Sequence, residues 1–350
     1  MKAKSYIKTV LILLSLSLAL LAGLTIIVDP LFQYHKPWFR LEPVIINERY
    51  QNAGMAKNFE FDNVILGNSM SENFRVSWFE EYYEGKTIKL TAAGSKTLDW
   101  TYTLNILHQR GIEIENIFMN MDPYILNADP EEMTHELPEY LYDNNYFNDF
   151  SYLLNASILR DFTYRTLLSN LTGNVPEINE AFVWDKEGIY GKKDVLEKYR
   201  ITKTEDNDEK QDFSYIVQRT EENMEHIIPY IESMQETEFI FFFSPFSIIY
   251  WYQANADQRL DYWEDAYLCC MEKLVEYDNV SIYFWSDDTM KEIITDWNNY
   301  KDESHYSAEI SRLILDRIGN DEGRINKDNY EVLVKDYFTF LKGYQYEILW

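Results

Sequence analysis

The sequence predicts an α/β domain of the flavodoxin-like kind, attached to an N-terminal transmembrane helix. The domain is expected to have three layers, α/β/α, around a parallel sheet of about five strands. Two observations predict this architecture. Short apolar runs alternate with longer segments of helical periodicity, which is typical of parallel strands joined by helices. The chain also opens with an apolar stretch long enough to cross a membrane.

Five compact apolar runs are predicted to form the strands. Strands that are buried on both faces carry continuous rather than alternating apolar residues, so these runs indicate a sheet covered by helices. The runs are residues 63–67, 87–91, 116–121, 238–243 and 280–284. Helical patterns lie around residues 97–109, 211–234, 258–276 and 308–318.

The N-terminal segment is predicted to be a single-pass membrane anchor. Residues 7–28 are almost entirely apolar and span about 30 Å as a helix, at about 1.5 Å per residue. Lys2, Lys4 and Lys8 lie at its start, and Asp29 ends it. The positive-inside rule then places the N-terminus in the cytoplasm and the following domain outside the cell. A cleaved signal peptide is the alternative, but the apolar residues continue beyond the possible cleavage region and favour an uncleaved anchor.

Composition limits the other functions. The formal net charge of −27 argues against nucleic-acid binding, because phosphates repel such a surface. The chain also has no dinucleotide fingerprint, P-loop or zinc motif, so no cofactor and no metal are expected. Four of the five histidines have no metal-ligand spacing: His35, His108, His135 and His226.

The chain is expected to divide into a cytoplasmic tip and anchor (1–28), a juxtamembrane segment (29–58) and a large domain (59–350). Residues 128–210 interrupt the strand–helix alternation and are predicted to be an insertion after the third strand. Long insertions at the carboxyl ends of parallel strands usually build or cover the functional site. Within this insertion, the charged stretch from Lys203 to Lys210 is expected to be a solvated loop.

A serine at the end of the first predicted strand is the first candidate for chemistry. Gly67, Asn68 and Ser69 follow the buried run directly, so Ser69 lies at a strand-to-helix turn beside free helix N–H groups. Residue 71 is Ser rather than Gly, so this is not the nucleophile elbow of α/β-hydrolases. The alternative role for Ser69 is that of a simple helix N-cap.

The second candidate lies near the C-terminus, after the last predicted strand. Asp302 and His305 have a spacing that lets a carboxylate on a tight turn bond the imidazole and fix its tautomer. The other ring nitrogen is then free to act as a general base. This pair and Ser69 fall at the same edge of the predicted sheet. The alternative is that His305 is a surface histidine that happens to lie near an aspartate.

These residues together resemble the motif blocks of the SGNH (GDSL-type) hydrolase and acyltransferase superfamily. The blocks are Gly67-Asn68-Ser69, Gly94, and Asp302-x-x-His305. Within the superfamily, the chain is similar to membrane-anchored members such as D-alanyl-lipoteichoic-acid transfer proteins and alginate acetylation proteins. The resemblance implies that Ser69 is the nucleophile, His305 the general base and Asp302 its orienting carboxylate. It also implies that the N–H groups of Ser69 and Gly94 contribute to an oxyanion hole.

The third block departs from the family pattern. The family often supplies an asparagine side chain to the oxyanion, whereas the matching turn here contains Asn120 and Asp122. Asn120 could supply the donor only with a shifted turn. An ionised Asp122 in that place would oppose the developing negative charge.

Three aromatic residues are candidates for substrate contact, because aromatic rings can stack on sugars. They are Tyr124, Tyr250 and Trp251, and packing in the core is the alternative for the last two. The resemblance implies O-acyl transfer, with acetyl as the expected group, to an extracellular polysaccharide or teichoic-acid-type polymer. It implies a membrane-bound O-acyltransferase as partner. The alternatives are a surface carbohydrate esterase and a catalytically inactive scaffold for envelope assembly.

Overall fold

The computed structural model describes residues 2–199 and 212–349, so the stretch Lys203–Lys210 lies outside the described residues. The chain divides into two compact units. Unit 1 comprises Met1–Glu60 and Leu137–Ala181, and unit 2 comprises Phe61–Glu136 and Phe182–Trp350. The expected division placed all of 128–210 in the large domain, whereas the structure groups part of that insertion with the N-terminal segment.

Unit 2 is built on one six-stranded sheet of the α/β kind, with strand order β2-β1-β3-β4-β5-β6. The first five strands are parallel to their neighbours, and β6 is an antiparallel edge strand on β5. The strands are β1 (Asn63–Leu66), β2 (Thr87–Lys89), β3 (Asn116–Met121), β4 (Glu238–Phe243), β5 (Val280–Tyr283) and β6 (Arg324–Ile325). All five predicted strands are therefore confirmed, and β6 is an addition.

The central strands are buried along their whole length, as continuous apolar runs require. Every residue of β1 and β3 is buried, and only the first residue of β4 is exposed. In the parallel register Leu66 pairs with Met119 and Met121 pairs with Phe243. The residues that follow β1 and β3 therefore meet at the same carboxyl edge of the sheet.

The helices of unit 2 include the four that periodicity predicts. Helices Thr97–Arg110, Tyr215–Ser233, Leu260–Leu274 and Tyr330–Gly343 pack side by side in that order, and Ala308–Gly319 packs on Val76–Phe79. The other α-helices are Ser69–Glu72, Pro123–Leu126, Lys192–Lys198, Ile248–Ala256 and Asp288–Thr295, and the 3₁₀ turns are Asp185–Glu187, Trp297–Asn299 and Tyr346–Leu349.

Unit 1 is helical. Its first helix, Lys2–Val28, is long and apolar enough to cross a membrane. The other α-helices are Glu48–Asn58, Glu139–Tyr142, Phe150–Leu153 and Tyr164–Thr172, with a π-helix at Ile158–Thr163 and 3₁₀ turns at Tyr146–Asn148 and Ile178–Glu180.

The chain turns sharply after the first helix at Asp29, which has a φ of 40°. The buried Asp29 carboxylate accepts hydrogen bonds from the N–H groups of Gln33, Tyr34 and His35 at 2.7–3.0 Å, and from the Tyr152 hydroxyl at 2.6 Å. Burial raises the pKa of Asp29, and the bonds from Tyr152 and the three N–H groups oppose that rise. This one carboxylate thus ties the first helix to the 137–181 segment.

Candidate functional site

The structure brings Ser69, His305 and Asp302 together in one hydrogen-bonded chain. Ser69 Oγ lies 2.8 Å from His305 Nε2. His305 Nδ1 lies 2.9 Å and 3.0 Å from the two carboxylate oxygens of Asp302. Because a carboxylate only accepts, Nδ1 carries the hydrogen and Nε2 is the nitrogen that can accept the Ser69 proton. This is the geometry of an activated serine nucleophile.

Local structure places Ser69 at the first position of a short helix directly after β1. The N-cap of that helix is Asn68, whose Oδ1 accepts the Met70 N–H at 2.9 Å. The alternative that Ser69 merely caps the helix is therefore wrong, since Asn68 does so. Gly67 is required at the turn because a Cβ there would overlap Asn120 Oδ1 and Ser71 Oγ.

A tight turn closed on both sides holds Asp302 and His305. The Lys301 N–H donates to the His305 carbonyl oxygen at 3.0 Å, and the buried Tyr300 and Tyr306 form a β-bridge across the turn. The Asp302 carboxylate also accepts the His305 N–H at 2.8 Å. The structure thus contains the predicted arrangement, in which a carboxylate on a tight turn bonds the imidazole.

Electrostatics keep Asp302 ionised. Burial by itself would raise the pKa of Asp302, but the hydrogen bonds and charge of His305 and the Ser304 N–H outweigh it and lower the pKa to about 2. Asp302 and His305 are mostly buried, with side chains 18% and 27% exposed. An ionised carboxylate in this place holds the ring and stabilises the imidazolium that proton transfer would form.

Trp184 completes the wall of the site, and the sequence reasoning did not single it out. Its Nε1 donates to the Ser69 carbonyl oxygen at 3.0 Å. Its ring and the His305 ring form a T-shaped contact, with a centroid distance of 5.4 Å and an interplanar angle of 85°. The Lys301 ammonium lies 3.6 Å from the centre of the same indole, and burial lowers the pKa of that ammonium.

Two backbone N–H groups are available as oxyanion donors. Ser69 and Gly94 both line the cavity beside His305. Among the described residues, neither the Ser69 N–H nor the Gly94 N–H has an acceptor. Gly94 adopts a φ of 65°, a left-handed conformation that favours glycine.

Asn120 does not reach the position of an oxyanion donor. It is fully buried, and its Nδ2 donates to Asn68 Oδ1 at 3.1 Å and Asp122 Oδ2 at 2.8 Å. Its Oδ1 accepts from the Asn68 N–H and the Ser71 hydroxyl. Both amide hydrogens are therefore committed beneath the nucleophile turn, where Asn120 is a structural residue.

Asp122 is likewise held by hydrogen bonds from its neighbours. Its Oδ2 accepts from Asn68 Nδ2 at 3.0 Å as well as from Asn120, and its Oδ1 caps the next helix through the Ile125 N–H at 2.9 Å. Burial raises the pKa of Asp122, and the hydrogen bonds oppose that rise. The Asp122 carboxylate, whose charge would oppose an oxyanion, thus accepts hydrogen bonds from amide donors.

Ser69 and His305 line a cavity of about 1020 Å³ in unit 2. Tyr124 and Tyr250, two of the three residues predicted to contact substrate, line it, whereas Trp251 does not. Trp251 is fully buried and packs edge-on against Trp263 and Phe338, so its predicted substrate role is replaced by a core role. The cations that line the cavity are Lys96, Arg219 and Lys301, beside the acidic Asp129, Glu132 and Glu303.

The other histidines do not assemble a site. Within residues 2–199 and 212–349, no group of three His, Cys, Asp or Glu side chains is placed to hold a metal. Among the other histidines of the described residues, one contacts a serine on the surface, where Ser233 Oγ lies 3.3 Å from His108 Nδ1. Among the described residues no carboxylate bonds that ring, and this pair therefore serves as a natural control for the Ser69–His305 pair.

No protein-family model matches the chain, and no curated protein matches it significantly. The functional assignment therefore depends on the geometry and chemistry of the site itself.

Proposed function

We propose that this chain is a serine acyltransferase of the SGNH kind that acts at the outer face of a cell membrane. The observation that supports it best is the hydrogen-bonded chain Asp302–His305–Ser69, with Ser69 Oγ 2.8 Å from His305 Nε2 at the mouth of a cavity. Ser69 and His305 lie 236 residues apart in sequence and meet only through the fold. A chance surface histidine would not combine this contact with a buried, ionised carboxylate.

The proposed architecture is the flavodoxin-like, three-layer form expected of that superfamily. The strand order 2-1-3-4-5 of the parallel part supports it, since this is the order of the flavodoxin-like doubly wound sheet. Sites in such sheets lie outside the carboxyl ends of the strands. Ser69 follows β1 and Tyr124 follows β3 at that edge.

In the first step, Ser69 Oγ attacks the carbonyl carbon of an acyl donor while His305 Nε2 takes its proton. Asp302 holds the ring and stabilises the imidazolium. The N–H groups of Ser69 and Gly94 bind the oxyanion, and such donors contribute about 3–4 kcal/mol each to transition-state stabilisation. The tetrahedral intermediate then expels the leaving group, which takes the proton from His305, and an acyl-Ser69 ester remains.

In the second step, a hydroxyl group of the acceptor attacks the acyl-Ser69 ester. His305 removes the acceptor proton and returns it to Ser69 Oγ as the ester bond to the serine breaks. Acetyl or a similarly small acyl group, and a hydroxyl of a cell-surface polysaccharide or teichoic-acid-type polymer, are the proposed substrates. Tyr124 and Tyr250 line the cavity where sugar rings of such a polymer could stack.

The N-terminal helix supports a place at the membrane. Its length and apolar composition suit a single-pass anchor, and the lysines at its start favour a cytoplasmic N-terminus and an extracellular catalytic domain. An anchored enzyme can receive acyl groups from a membrane-bound O-acyltransferase, which we propose as its partner. A hydrolase that only releases acetate needs no such tether.

The alternatives use the same residues differently. A surface carbohydrate esterase would pass the acyl group from Ser69 to water, and an inactive scaffold would form no acyl-Ser69. Full-length protein in detergent micelles, supplied with p-nitrophenyl acetate and a soluble glycan, separates the three. The proposal predicts acetylated glycan from the wild type and none from Ser69→Ala; free acetate alone would establish the esterase, and no acetyl-Ser69 in the mass spectrum would establish the scaffold.

A further inference from the structure

Unit 1 exposes large apolar side chains to an unusual degree. Among the described residues outside the N-terminal helix, six of the eight most exposed large apolar side chains belong to it, although unit 2 is the larger unit. The six are Phe147 (95% exposed), Leu171 (85%), Phe39 (78%), Tyr146 (75%), Phe150 (66%) and Tyr164 (61%), against Val332 and Ile189 of unit 2. A concentration of exposed apolar groups of this kind marks a surface that contacts another protein or a membrane.

Helix Tyr164–Thr172 is inside out for a water-facing helix. Tyr164, Leu167, Leu168 and Leu171 follow the i, i+3, i+4, i+7 spacing of one helix face, and all four are exposed. The buried residue of this helix is the polar Thr166. An amphipathic helix in water buries its apolar stripe, so this orientation suits an apolar surrounding.

The neighbouring helix lies at the level of the last turn of the N-terminal helix. Thr25 Oγ1, one turn before the helix ends at Val28, donates to the Leu153 carbonyl oxygen at 3.2 Å. Helix Phe150–Leu153 and the π-helix Ile158–Thr163 both pack against the N-terminal helix. Residues 150–163 therefore lie beside the N-terminal helix, near its carboxyl end.

We propose that these side chains form an apolar foot that inserts into the lipid interface around the carboxyl end of the membrane span. The apolar foot is defined by Phe147, Phe150, Leu154, Leu167, Leu168 and Leu171. The inference rests on the proposed membrane span, and it does not depend on the proposed chemistry.

Lipid is the occupant that the observations favour over a protein partner. The foot adjoins the span at the depth where lipid headgroups meet acyl chains, and exposed aromatic residues such as Phe147 and Phe150 suit that interface. Tyr146 and Tyr164 border the foot with an apolar ring and a polar hydroxyl, as residues of a membrane-interface belt do. The foot would give the anchored protein a second, fixed attachment to the bilayer.

Site-directed spin labelling of the full chain in phosphatidylglycerol–phosphatidylethanolamine vesicles tests the foot. Single cysteines replace Phe147 and Leu171 in a Cys269→Ser, Cys270→Ala background. Leu16→Cys in the span and Val332→Cys on unit 2 are the matched lipid and water controls. Power saturation then compares accessibility to oxygen, which concentrates in lipid, with accessibility to a water-soluble nickel complex.

The foot predicts oxygen-to-nickel ratios at positions 147 and 171 that are several-fold above that of position 332 and approach that of position 16. Nickel accessibility at 147 and 171 equal to that at 332, with position 16 still in lipid, would overturn the foot and leave the span intact. Protection from both reagents at 147 and 171 would show a protein contact and also overturn it. A water-exposed position 16 would overturn the span and the foot together.

Discussion

The Trp184 indole donates its N–H to the carbonyl oxygen of Ser69 at 3.0 Å. The same ring lies nearly perpendicular to the His305 ring, and the Lys301 ammonium lies 3.6 Å from its centre. One side chain from the insertion thus contacts Ser69, His305 and Lys301. Trp184 is a positioning residue for the pair on which the proposed chemistry depends.

Two variants of Trp184 distinguish the effect of its hydrogen bond to Ser69 from the effect of its ring beside His305. Trp184→Phe keeps the ring beside His305 and loses only the bond to Ser69, so reaction of Ser69 with a serine-directed fluorophosphonate is expected to slow by about 2–10-fold. Trp184→Ala loses both contacts and should slow it further. Labelling rates from gel fluorescence measure this; equal rates in all three proteins would show that Trp184 does not position the pair.

The ionised state of Asp302 gives a pH-dependent stability. Because the folded pKa of about 2 lies below the ordinary value of 3.8, Asp302 stabilises the fold above about pH 4 and loses that contribution as the pH falls toward 2. The contribution is about 2 kcal/mol. Thermal unfolding in detergent should therefore show wild type more stable than Asp302→Asn at pH 6, with the difference shrinking at pH 2.5. A difference that is the same at both pH values would contradict this assignment.

The buried network under the nucleophile turn is expected to be structural. Asn120→Ala removes the acceptor of the buried Asn68 N–H and Ser71 hydroxyl and one of the donors to Asp122, and should lower the free energy of unfolding by about 2–5 kcal/mol. Asn105→Ala, on the exposed face of helix Thr97–Arg110, is the control and should change it by less than about 0.5 kcal/mol. Unchanged stability with lost labelling of Ser69 in Asn120→Ala would instead restore Asn120 as an oxyanion donor.

The requirement for glycine at position 94 is expected to come from its backbone conformation and not from a lack of room for a side chain. A Cβ there would make only ordinary contacts, at 3.5 Å to Thr134 and 3.6 Å to His135, but a φ of 65° costs other residues about 1–2 kcal/mol. Gly111 has a φ of 63° at a helix end with open space around it. Gly111→Ala should therefore lower stability similarly and leave Ser69 labelling unchanged, whereas Gly94→Ala should also slow labelling. Equal labelling in both variants would remove Gly94 from the proposed oxyanion hole.

Much of the fold and of the Asp302–His305–Ser69 chain could be predicted because the information is local. Each central strand is a continuous apolar run, and Asp302 and His305 lie three positions apart on one turn. Ser69 stands out because a buried strand ends immediately before it. Strand β6 was not predicted, since its two residues, Arg324 and Ile325, carry no periodicity.

Other features depend on long-range packing that the sequence does not display. Trp184 reaches Ser69 from an insertion with no regular pattern, so nothing local marks it. Tyr250 and Trp251 are neighbours on one helix, yet one lines the cavity and the other fills the core, because adjacent helical residues face different directions. The prediction that the insertion helps to build the site nonetheless agrees with the position of Trp184.

The most direct test of the account is where a serine-directed fluorophosphonate attaches to the full-length protein. Mass spectrometry is expected to find the phosphonyl group on Ser69, and Ser69→Ala and His305→Ala should abolish or slow labelling by about 10³-fold or more. Ser233→Ala, which removes the surface Ser–His contact with His108, should label like the wild type. Labelling that persists in Ser69→Ala, or a wild type that does not react, would contradict a catalytic Ser69–His305–Asp302 chain.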